Sequence, residues 1–232
     1  MISQLVSVPA DRVTLSGDLV VPPEERATAL CAHGLDSSRR DPGSRAVAAG
    51  LNAAGYATLS LDLLSEHEER AVREQGGDRA GGQAGDLGFD VRLLGRRAVA
   101  GVDWLKIQPG IRSRPVILFG AGAGAAAVLE AAAELPDQVL TAVVWGGRPD
   151  RAGDALRRLR VPVLLVTGDR DPDLLGLTEH AGRQLTVPCA VRVVPGEGAL
   201  LAEPGARDRA TDLTRQWCEE RLRLAGEAAR GG

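Results

Sequence analysis

The sequence predicts an α/β domain: a mostly parallel β-sheet with helices on both faces. Three observations carry this reading. Apolar runs of strand length alternate with helix-period segments from residue 27 to residue 224, the pattern of βα units whose right-handed crossovers cover both faces of a sheet. One run, Pro115-Val116-Ile117-Leu118-Phe119, passes through Gly120-Ala121-Gly122-Ala123-Gly124 straight into an Ala-rich segment, the strand–turn–helix that presents a group at the top of a parallel sheet. A length of 232 residues suits one large domain better than two. The expected boundaries are 1–226 for the domain and 227–232 for a disordered tail.

Residues 5–8 and 13–21 alternate apolar and polar around a tight Ala10-Asp11-Arg12 connection, an antiparallel opening with one wet face. Residues 27–32 form a short apolar strand that leads into His33-Gly34-Leu35. Ser44 is the expected N-cap of a helix carrying Val47, Ala48 and Leu51 on one side, with Gly55 closing it. Residues 56–61 read as the next strand, with Asp62 at its carboxyl end. Residues 65–88 turn sharply to Glu, Arg, Gln and Gly and offer too little apolar surface to order themselves, so a disordered insert or a mobile lid is expected. Val91, Leu94, Ala98, Val102 and Leu105 mark a long amphipathic helix over 89–107, ended by Pro109-Gly110. After the glycine turn come strand 139–145, a basic helix over 150–159, strand 161–167, helix 174–185, strand 190–194 and helix 205–224.

Composition narrows the function classes. Aromatic residues make up 3% of the chain, so the core must be built from Leu, Val and Ala. A net charge of -3 without a long basic run lacks the footprint of a nucleic-acid binder. A small-molecule ligand is the expected partner, and a homodimer remains open. The three cysteines lack C-x-x-C spacing, which argues against a disulfide framework or a thiolate metal site. With neither a signal segment nor a run of membrane-spanning length, a cytoplasmic protein is expected. Gly120 to Ala125 also satisfies the G-x-G-x-x-A dinucleotide pattern, but Trp145-Gly146-Gly147 stands where the confirming acid belongs. No cofactor and no metal is expected.

The order of these features resembles the α/β-hydrolase superfamily, in particular its dienelactone-hydrolase-like branch. The resemblance runs from Leu15-Ser16-Gly17-Asp18-Leu19 through Cys31-Ala32-His33-Gly34, Leu61-Asp62-Leu63-Leu64, the glycine turn and Val166-Thr167-Gly168-Asp169-Arg170-Asp171 to Val194-Pro195-Gly196. It implies an α/β-hydrolase fold of seven or eight strands. It also implies a degenerate catalytic triad. Gly122 occupies the elbow position where the family carries its Ser or Cys nucleophile. Ala199 occupies the position of the family His, while Asp171 holds the position of the family acid. Backbone amides of Leu35 and Ala123 match the family's oxyanion donors. Arg39 is a candidate clamp for an acidic ligand, with a solvated loop charge as its alternative. His33 is either a structural histidine of the oxyanion loop or a general acid–base, and Glu197, two residues before Ala199, is a candidate to share a proton with Asp171.

Three functions follow from that pattern. The leading one is a non-hydrolytic protein that binds a small carbonyl compound and promotes proton transfer, cyclisation or elimination through Asp171, Glu197 or His33. The second is a catalytically dead scaffold or subunit. The third is a residual esterase or lactonase using a recruited serine or water.

Overall fold

A computed structural model describes residues 1–35, 37–74, 90–198 and 201–231. Eight strands form one sheet in the order β1-β2-β4-β3-β5-β6-β7-β8: β1 Ile2–Ala10, β2 Val13–Val21, β3 Ala27–His33, β4 Tyr56–Asp62, β5 Val116–Ala121, β6 Val139–Trp145, β7 Val163–Gly168 and β8 Cys189–Val194. β1 pairs with β2 and β2 with β4 antiparallel, and every other pairing is parallel. The expected wet hairpin is present: β1 is largely exposed, while β3 and β4 are buried along their whole length.

The helices are α1 Pro42–Ala53, α2 Glu66–Glu74, α3 Val91–Lys106, α4 Gly124–Glu134, α5 Ala155–Arg158, α6 Pro172–Gln184 and α7 Pro204–Gly231, with a 3-10 turn at Pro149–Ala152. Because side chains alternate across a strand, each strand feeds two cores. Leu30, Leu118 and Val144 pack with α3 and α4 on one face, whereas Cys31, Phe119 and Trp145 pack with Val47 and Leu51 of α1 and with Ala206 and Ala210 of α7 on the other. The second face holds the site.

Several boundaries differ from the sequence reading for physical reasons. Helix α1 is capped at Asp41 with Pro42 in its first turn, so Ser44 lies inside the helix and not at its cap. The basic segment 150–159 divides into the 3-10 turn and the four-residue α5. Part of the polar stretch 65–88 is ordered: α2 buries Val72, and Glu68 grips the buried Arg97 of α3 through two hydrogen bonds of 2.9 and 2.6 Å. A long-range ion pair supplies there what local apolar content does not. Residues 75–89 lie outside the described residues. Helix α7 runs on through Gly231, past the expected start of a tail at 227, and Arg223 pairs with Glu220 and Glu227 along it.

Candidate functional site

The turn between β5 and α4 is built by close backbone packing. Gly122 has φ +55°, a left-handed conformation that favours glycine, and its N–H donates to the Trp145 carbonyl at 3.4 Å. A Cβ on Gly124 would lie 2.3 Å from the Ala32 carbonyl oxygen, so α4 starts directly against β3. A Cβ on Gly34 would lie 2.6 Å from the Ala123 Cβ and 3.2 Å from the Gly124 nitrogen. The turn carrying Leu35 is therefore seated on the elbow, although neither Leu35 nor Ala123 is among the residues that line the cavity beside it.

A cavity of about 260 Å³ opens beside this turn, on the α1 and α7 face of the sheet. Strand alternation decides its wall: Cys31 and His33 from β3, Phe119 and Ala121 from β5, and Trp145 from β6. Phe119 and Trp145 meet edge to face at 5.0 Å, and the Trp145 indole N–H donates to Thr214 Oγ1 at 2.9 Å. Gly43 and Ser44 in the first turn of α1 form another side, with Arg207 of α7 packed against Gly43. The electropositive helix end of α1 thus borders the cavity. A larger groove of about 740 Å³ lies along Met1, Asp18, Pro22 and Asn52, with no part of the glycine turn in its wall. The smaller cavity is the candidate site because it contains the elbow.

Two polar atoms in its wall stand out. His33 is 5% exposed, and its Nε2 has no hydrogen-bond partner among the described residues. The Ser37 Oγ is likewise buried and unpartnered, and it lines the same cavity. An unsatisfied buried polar group costs about 1–3 kcal/mol, so two in one small cavity mark a place shaped for a polar occupant. The other ring nitrogen of His33, Nδ1, lies 3.5 Å from Ser44 Oγ.

Burial pushes the His33 pKa down, opposed by the carboxylates of Asp62, Asp41 and Asp18 and reinforced by Arg39. The imidazole is held neutral below its ordinary titration range. As pH falls through about 6.5, the unfolded chain takes up the His33 proton before the folded one does. The stability that His33 confers is complete above that pH and is lost as pH falls through the lowered folded value. The expected result is a fall in unfolding free energy on acidification that is shallower in His33→Gln, measured by urea denaturation from pH 7.5 to 5.

The remaining sequence candidates are placed as follows. Asp171 caps α6, its carboxylate accepting from the Leu174 N–H at 3.0 Å. Glu197 pairs with Arg209 of α7 at 2.8 Å. Their loops do meet, since the Arg170 N–H donates to the Glu197 carbonyl at 3.0 Å and Asp169 accepts from the Gly196 N–H at 2.7 Å. Among the described residues, however, neither Asp171 nor Glu197 lines the cavity. Arg39 is not a solvated loop charge. It is 5% exposed and paired with Asp62, and its Nε lies 3.5 Å from Asp18. Ala199 lies outside the described residues. None of Ser44, Trp145 and Arg207 was a candidate site residue in the sequence. The period-2 alternation of β3, β5 and β6 was the available signal for Trp145, whereas Ser44 and Arg207 reach the cavity only through helix placement.

The family model described as the dienelactone hydrolase family matches residues 41–185. The chain belongs to the dienelactone hydrolase family. A member of known structure, a dienelactone hydrolase from Anabaena variabilis, is 37% identical and superimposes with a TM-score of 0.86 over 94% of this chain and 97% of that one. Est1E from Butyrivibrio proteoclasticus, 17% identical with a TM-score of 0.73 over 94% of this chain and 98% of its own, shares the fold. A Mycobacterium tuberculosis protein carrying the name "Putative phosphoribosyl transferase" is 40% identical over 217 residues, 94% of this chain and 46% of the relative. This chain thus spans about half the length of that relative. Among the described residues, no helix is long and apolar enough to cross a membrane.

Proposed function

We propose that this family member binds a small carbonyl-containing molecule in the elbow cavity and does not form a covalent intermediate with it. One observation carries the reading: Gly122 keeps the left-handed backbone of the elbow and opens onto a cavity with unpartnered polar atoms, yet has no side chain with which to attack. Phe119 and Trp145, which line that cavity, cover the apolar part of the ligand.

The test is ligand-dependent melting with small lactones and ketones. A ligand at a hundredfold excess over its dissociation constant stabilises by about 2.7 kcal/mol, which raises the melting temperature of a chain this size by roughly 5–10 °C. If none of these compounds shifts the transition, the reading fails. A second reading, a residual esterase, rests on the Ser37 hydroxyl in the cavity wall. It requires p-nitrophenyl ester turnover that disappears in Ser37→Ala.

A further inference from the structure

We propose that the elbow cavity is a proton-transfer site for small enolisable carbonyl compounds, in which His33 Nε2 carries the proton between two carbon atoms of the substrate while the Ser37 hydroxyl donates to the carbonyl oxygen. The proposal rests on the binding reading above and adds the chemistry and its carriers.

Both residues line one cavity, both reactive atoms are buried, and neither has a partner among the described residues. The other candidate groups are engaged. Asp171 caps α6 and Glu197 pairs with Arg209. Asp41, at the cavity rim, accepts from the Ser38 N–H at 2.7 Å, and Asp62 is held by Arg39. The Cys31 thiol is pushed up to about 12 by burial, so it stays protonated. The Arg207 guanidinium donates to the Ala202 carbonyl. His33 is therefore the group in this wall suited to accept a proton near neutral pH. Nδ1 lies 3.5 Å from Ser44 Oγ, and with the proton on Nδ1 it is Nε2 that carries the lone pair able to accept a proton.

The step balances without a co-reactant. In a β,γ-unsaturated ketone the α C–H bond breaks, its proton passes to Nε2, and its electron pair forms the enolate double bond as the carbonyl π pair moves to oxygen. The Ser37 O–H stabilises that oxygen. The imidazolium then returns the proton to the γ carbon and the double bond moves into conjugation. Water is neither consumed nor released, and no nucleophile is needed, in keeping with glycine at position 122.

Cyclohex-3-enone is a suitable probe, since it has no ester to hydrolyse. Wild-type protein is expected to convert it to cyclohex-2-enone above the buffer rate, followed by the absorbance of the conjugated enone and by proton NMR. His33→Gln is expected to lower the rate at least about 100-fold, and Ser37→Ala to lower kcat about 100- to 1000-fold. The wild-type rate should fall on acidification as the imidazole protonates, with Asp41, Asp62, Asp18, Arg39 and Arg207 as its charged surroundings. Far-ultraviolet dichroism and urea unfolding establish that each variant is folded; should His33→Gln not fold, Ser37→Ala and the pH profile decide. Conversion at the buffer rate, or an undiminished rate in either folded variant, overturns the proposal. If cyclohex-3-enone raises the melting temperature without being isomerised, the proton-transfer step alone is refuted. If it does neither, and lactones do not bind, the binding reading falls as well.

Discussion

Replacing Gly122 by serine is expected to leave ester turnover about 10⁶-fold below that of a complete triad, because nucleophile and base act as a unit. The φ of +55° at Gly122 costs a non-glycine residue about 1–2 kcal/mol. Asp171 is committed to the α6 cap, and the sequence resemblance places Ala199, not a histidine, at the position of the family's base. Steady-state assay with p-nitrophenyl acetate checks this. Triad-level turnover in Gly122→Ser would mean that another group, with His33 the first to examine, already serves as a competent base for a serine at that position.

Asp62→Ala is expected to lower unfolding free energy by about 3–5 kcal/mol, the range for stranding one partner of a buried ion pair. Asp62 accepts from the Arg39 backbone N–H at 2.8 Å and also from its guanidinium, and both side chains are 6% exposed. Without Asp62 the charge of Arg39 keeps only Asp18, at 3.5 Å and 29% exposed. The double change Arg39→Met with Asp62→Leu should recover most of the loss, since a packed apolar pair avoids desolvating two charges. Urea denaturation of the two proteins gives both numbers. A loss under about 1 kcal/mol in Asp62→Ala would show that the pair is solvated in solution. The pair matters to the site because Arg39 and Asp62 hold the loop from His33 to α1, which forms one wall of the cavity.

The sheet was legible because its strands are bounded by their own punctuation: Pro22-Pro23 after β2, Gly55 before β4, and the glycine cluster after β5 each sit at an observed boundary. The elbow was legible for the same reason, since a strand entering a helix through alternating glycines has few structural solutions. What escaped the sequence depends on distant partners. Helix α2 reads as unstructured by composition, yet Glu68 finds Arg97, 29 positions away. Arg39 reads as a surface charge in a polar loop, yet Asp62, 23 positions away, draws it inside. Asp171 and Glu197 lie on loops that meet, as the topology implies, but a helix cap and an arginine claim their side chains. His33 shows the reverse: its place at the end of a buried strand could be read from the sequence, while the lack of a partner for Nε2 among the described residues is a property of three-dimensional packing.

The central claim is that the emptied elbow binds a carbonyl ligand without breaking it. Saturation-transfer NMR on wild-type protein with γ-butyrolactone tests both halves in one tube. The expected result is transfer from protein to lactone with no ring-opened acid accumulating above the buffer rate. Enzymatic ring opening, or no transfer from the protein to the lactone, would contradict it.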